Sequence, residues 1–160
     1  MRSLRERMRD VQQVGSVTWI GLRSERGAAM TVVDTAELVA TRGILGDRAS
    51  KSSAGGKRQV TLFQAEHLPV LSAWVGRDVE PHELRRNLVV AAINLVALVN
   101  LRFEVGDAIL VGTGPCAPCS KMDVALGPGG FQAMRGHGGI TASIERGGRI
   151  AIGAVVRVLP

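Results

Sequence analysis

Hydrophobic positions along this chain fall in short runs divided by glycine-rich or polar punctuation, a rhythm of strands rather than of long helices. Residues 14–22 hold Val17, Thr18, Trp19 and Ile20 in a row and predict a first strand, followed by a polar turn from Arg23 to Gly27. Residues 29–33 and 36–39 read as two short strands around Asp34 and Thr35. Further strands are predicted at 59–63, at 87–90 and across 102–111, the last with a turn at Gly106-Asp107. Glycine clusters near the C-terminus separate three more, at 140–144, 150–152 and 154–158.

Helical spacing is confined to a few places. Residues 64–74 carry apolar positions at helical intervals, with Pro69 either limiting that helix or starting it anew. Residues 1–13 form a basic arm or a first helical turn, with Arg2, Arg5, Arg7 and Arg9 around Leu4 and Met8. The longest apolar stretch, 88–101, is broken by Asn94 and Asn100 and is shorter than the roughly 20 residues that span a bilayer, so no membrane helix is expected. Many short strands, frequent turns and a few short helices predict a mainly β barrel or sandwich, in one domain over 1–160, without strand–helix alternation of the doubly wound type.

Composition narrows the partners. The chain has 160 residues, 46% of them apolar, enough for one core that must be mainly aliphatic because tyrosine is absent and aromatic residues make up 3%. So few aromatic rings argue against base stacking on a nucleic acid. The formal net charge is +6, and only Lys51, Lys57 and Lys121 of the basic residues are lysines. A guanidinium-dominated surplus favours an anion such as a phosphorylated small molecule, through planar bidentate hydrogen bonds. Two cysteines three positions apart make no disulfide framework, and no segment has a secretory layout, so a reducing cytoplasm is expected.

Those cysteines are the leading chemistry. Gly114-Pro115-Cys116-Ala117-Pro118-Cys119 follows a predicted strand, and its glycine and prolines suggest a rigid loop that presents a sulfur. Half of a zinc site is one reading, but His67, His82 and His137 show no paired metal spacing. A thioredoxin-like pair calls for a βαβ setting that the flanking pattern does not supply, which leaves a dithiol switch open. Upstream, Gly43-Ile44-Leu45-Gly46-Asp47-Arg48 describes a tight backbone path ending in an acid and a base. The small polar loop through Ser52, Ser53, Gly55 and Gly56 lacks the spacing of a P-loop.

Four stretches, in order, give the chain a family likeness: 43–48, then Arg86-Asn87-Leu88-Val89-Val90, then 102–107, and finally Pro118-Cys119 with Lys121 and Met122. Together they resemble the MOSC domain, named for the C-terminal domain of molybdenum cofactor sulfurase. The resemblance implies a β-barrel that binds a molybdenum cofactor, with Cys119 as metal ligand or sulfur carrier and Arg48, Arg86, Asn87 and Asp47 around a phosphorylated pterin. Cys116 has no assured counterpart in compact members. Many relatives have histidine where Ala49 stands, and His137, between Gly136 and Gly138, is the substitute candidate for acid–base work.

The activities implied are reduction of N-hydroxylated compounds at a cysteine-ligated molybdenum and transfer of sulfur as a cysteine persulfide. A non-catalytic module that binds an anion or carries the cofactor is the third reading. The chain contains no flavin domain or iron–sulfur motif, so a reductase implies an external electron-donor protein.

Overall fold

In a computed structural model describing residues 1–160, alternating strands close on themselves into a barrel. The strands in chain order are β1 (Gly15–Leu22), β2 (Thr31–Val33), β3 (Thr35–Val39), β4 (Gly43–Ile44), β5 (Val60–Gln64), β6 (Leu88–Ala91), β7 (Arg102–Val105), β8 (Ala108–Pro115), β9 (Ile140–Arg146), β10 (Gly148–Ala151) and β11 (Val155–Val158). Around the barrel they run β1-β11-β7-β8-β9-β5-β6, seven strands, with β6 returning to β1 and β2 added on the outside of β1. Closure is made where Gly15 faces Val156, so no edge is left unpaired within the ring. A second sheet, β10-β3-β4, lies alongside. The two predicted short strands flanking Asp34 are therefore neighbours in sequence that belong to different sheets.

The helices are α1 (Leu4–Arg9), α2 (His67–Val75), α3 (Lys121–Leu126) and α4 (Gly130–Met134). Pro69 falls in the first turn of α2, where a missing N–H costs no helical bond. That helix connects β5 to β6, which pair in parallel with Leu62 opposite Leu88, the one crossover unit in an otherwise antiparallel barrel. The predicted run at 88–101 divides into β6 and a 3-10 turn, Leu95–Leu98. No helix is long and apolar enough to cross a membrane.

Two apolar clusters explain these elements. The barrel interior packs 21 buried residues, among them Ile20, Leu62, Leu88, Phe103, Leu110 and Ile140. A second cluster of nine, including Phe63, Leu71, Val89, Met122 and Met134, fills the space between the outer faces of β5 and β6 and the helices. Both faces of β5 are thus covered, so all five of its residues are buried and it shows no alternation. Truncating a fully buried leucine or phenylalanine here costs about 2–5 kcal/mol. The short α3 and α4, unexpected in a Gly-Pro-rich stretch, form because Met122, Leu126, Ala133 and Met134 join this cluster. Asp123 also accepts a 3.0 Å bond from the Phe131 N–H, tying one helix to the other.

Candidate functional site

Just after β4, the turn through Gly46 delivers Asp47 into the interior, 2% exposed. Its Oδ1 accepts from the Arg23 N–H at 2.8 Å and from Asn87 Nδ2 at 3.2 Å, and its Oδ2 caps the following turn through the Ala49 N–H at 3.2 Å. Asn87, just before β6, is equally engaged. Its Oδ1 accepts from the Thr61 N–H at 3.1 Å, and its Nδ2 also donates to the Gly21 carbonyl at 3.2 Å. The two side chains expected to touch a ligand therefore spend their polar atoms fastening β1, β5 and β6 together.

Arg86 does the same for the cysteine loop. A 3-10 turn, Pro81–Leu84, ends at Arg85 in the left-handed region (φ 62°), which reverses the chain and buries the next residue. The Arg86 guanidinium donates from Nε to the Gly138 carbonyl at 2.9 Å, from Nη1 to Leu84 at 3.1 Å and from Nη2 to Cys116 at 3.1 Å. Burial pushes it below the usual arginine range. The cysteines, Cys116 ahead of Cys119, favour its charge, while Arg58 and Arg23 oppose it. No carboxylate pairs with it, as the four ion pairs of the protein all lie elsewhere. A Cβ on Gly138 would come within 2.0 Å of the Cys116 carbonyl oxygen. That glycine thus serves the close packing of two loops rather than the approach of a ligand to His137.

A cavity of about 180 Å³ opens beside this network, lined by Arg23, Arg48 and Arg58 with Asp47, Thr61 and Asn87. Burial, then the like charge of Arg85, hold Arg23 below the usual arginine range, and Arg48 and Arg58 add to the repulsion against Asp47. The Arg23 Nε–H is buried with no partner. Five guanidiniums thus share one neighbourhood with a single carboxylate whose oxygens already accept N–H bonds. Sequence reading found Arg48 and Arg86 but missed Arg23, Arg58 and Arg85. Only the adjacency of Arg85 to Arg86 offered a signal, since the others come from turns far apart in the chain.

The loops that Arg86 holds through Cys116 and Gly138 line a further cavity of about 330 Å³, which takes in Cys116, Ala117 and Pro118 together with His67, Phe131 and His137. His137, half-buried rather than solvated, meets His67 edge-on at 4.8 Å between ring centroids and Trp74 at 5.2 Å. Its Nδ1 is buried without a partner. Burial, then the charge of His137, push His67 below the ordinary imidazole range, with Glu66 opposing. The two sulfurs differ: Cys116 is buried, whereas Cys119, at the approach to α3, is exposed. Chemically, the guanidiniums and the orphan N–H can take an anion, and the exposed Cys119 sulfur, which lines neither cavity, is accessible to a metal or to a sulfur donor.

Comparison with known proteins agrees with this architecture. The family model described as MOSC domain matches residues 49–157, taking in Arg86, Asn87, both cysteines and His137 but not Arg23, Asp47 or Arg48. YuaD from Bacillus subtilis shares the fold with a TM-score of 0.76 at 18% identity, over 93% of this chain and 98% of that one. YiiM from Geobacillus stearothermophilus gives 0.74 at 16%, over 91% and 75%. YiiM from Escherichia coli gives 0.68 at 18%, over 91% and 70%. No curated protein matches the chain.

Proposed function

The chain belongs to the MOSC domain family, and from that premise we propose that it binds a molybdenum cofactor and reduces N-hydroxylated compounds. The phosphate of the cofactor is assigned to the cavity of Arg23, Arg48 and Arg58, and its metal to the Cys119 sulfur. The observation that carries this reading is the charge imbalance: five neighbouring guanidiniums, one of them with an orphan buried N–H, against one carboxylate that already accepts three N–H bonds and forms no ion pair. Charge-assisted bonds to a phosphate contribute about 1.5–3 kcal/mol each, which offsets the repulsion among the arginines.

When bound, the metal supplies the change of oxidation state. The protein's own work is to hold it, shelter the substrate and handle protons. Reduction of an N–OH group to N–H consumes two electrons and two protons and releases water. His137 borders the Cys116 cavity and has an unpartnered Nδ1, which makes it the residue assigned to hold and deliver one of the two protons, the other coming from solvent. Electrons come from an external donor protein.

Protein purified from a host that makes molybdenum cofactor tests the reading. Molybdenum and pterin should copurify in equal amounts and be lost from Cys119→Ser, and turnover of an amidoxime should follow metal content. Metal-free protein from such a host refutes it. The exposure of Cys119 also supports sulfur transfer, in which its thiol accepts a sulfane sulfur from a cysteine desulfurase and the donor thiol is released. A gain of one sulfur atom on the Cys119 peptide, without reductase activity, selects that second reading.

A further inference from the structure

The N-terminal helix α1 is well formed yet buries nothing. Ser3 and Glu6 close a complete capping box, but six residues are far fewer than the roughly 12–15 an isolated helix needs to persist in water. Leu4 and Met8, one turn apart on the same face, are 73% and 67% exposed. Between this arm and the barrel runs a groove of about 740 Å³, lined by Met8 of α1 and by Val11, Val96, Val99 and Leu101, of which Val11 and Val99 pack against the barrel core.

Its charge is as unbalanced as its apolar surface. Arg5, Arg7 and Arg9 line the groove. Glu6 turns back to cap the helix, accepting from the Ser3 N–H at 2.6 Å, and Asp10 pairs with Arg2 at 2.6 Å, so Arg5, Arg7 and Arg9 form no ion pair and the arginines of the arm outnumber its acids. Val96 and Pro115 border both this groove and the cavity that holds Cys116 and His137. Whatever occupies the groove therefore reaches the rim of the proposed site.

We propose that the groove docks an acidic redox-partner protein, which inserts an apolar anchor between α1 and the barrel and pairs carboxylates with Arg5, Arg7 and Arg9. The partner's redox role rests on the reductase reading, whereas the docking stands on the groove itself. A second copy of this chain fits poorly, because at a net charge of +6 it brings cations against cations. A flat anionic bilayer covers the outer face of α1 but cannot enter a groove walled on both sides by protein.

Flavodoxin, an acidic flavoprotein, is the probe, titrated calorimetrically into the full chain at low and physiological salt. Binding should weaken with salt and fall about tenfold or more in an Arg5→Glu/Arg7→Glu/Arg9→Glu variant. Met8→Ser, at the apolar side chain that α1 contributes to the groove, should weaken it several-fold, with the urea unfolding midpoint unchanged in both variants because α1 buries nothing. In parallel, reduction driven by methyl viologen, a small donor that needs no docking, should be equal in wild type and variants, while flavodoxin-driven reduction falls with binding. Absence of flavodoxin binding overturns the proposal, whether or not the chain sediments with phosphatidylglycerol vesicles, and so does unchanged affinity in the charge-reversed variant. Loss of viologen-driven activity in wild type strikes the reductase reading alone, and the binding isotherms still decide the docking.

Discussion

Asp47, Arg86, Asn87 and Cys116 lie beside Arg23, Arg48, Arg58 and Cys119, and the two sets use their polar atoms in opposite ways. The first set is buried. Its carboxylate, amide and guanidinium are bonded to neighbouring protein groups, and its sulfur is shielded. The second set has no acidic partner of its own and faces a cavity or solvent. Motif residues and ligand-facing residues therefore coincide only in part. A charged side chain can be indispensable to a binding site because it builds the wall, while the charges that meet the ligand come from turns with no pattern of their own.

The largest effect should follow from breaking the wall. Arg86→Ala leaves the Gly138, Leu84 and Cys116 carbonyls without their donor, and urea unfolding should show a loss of about 3–5 kcal/mol. Arg86→Lys keeps the charge but not the three-way fork, and should recover less than half of that loss. A loss below about 1 kcal/mol in Arg86→Ala would move this residue into the ligand-facing set.

The cysteines sharpen the same contrast on a smaller scale. Cys116→Ser buries a hydroxyl and should cost about 1–2 kcal/mol of stability. Cys119→Ser, at an exposed position, should leave the unfolding midpoint unchanged while abolishing cofactor retention. The opposite pattern would exchange their roles.

Smaller again, Arg48→Ala and Arg58→Ala should each weaken binding of the phosphorylated cofactor roughly tenfold at fixed ionic strength, without lowering stability. Unchanged affinity in both would remove the arginine cavity from the site.

The smallest effect is a pH slope. Because the fold holds His67 below the ordinary imidazole range, the unfolded chain takes up its proton first as pH falls. The stability associated with neutral His67 is therefore complete above about pH 6.5 and is lost as pH falls toward its folded value. Urea midpoints measured between about pH 7 and 5 should decline less in His67→Gln than in wild type, and parallel slopes would show that the burial of His67 has no energetic consequence.

Much of the barrel is legible before folding, since β1, the β7–β8 hairpin and the three C-terminal strands follow short apolar runs and glycine punctuation. That information is local: period-two alternation and turn chemistry depend on residues a few positions apart. The cysteine segment and the motif arginines are legible for the same reason. Tertiary structure alone decides the parallel pairing of β5 with β6, the burial of both faces of β5, and the existence of α3 and α4. Those helices arise only because a second apolar cluster waits outside the barrel. It also decides which polar groups are consumed and which remain for a ligand. Asn87 reaches Asp47 across 40 positions and Arg86 reaches Gly138 across 52. A buried polar group must find its partner wherever the chain brings one, so the division between wall and ligand-facing charge is settled by long-range hydrogen-bond satisfaction rather than by sequence spacing.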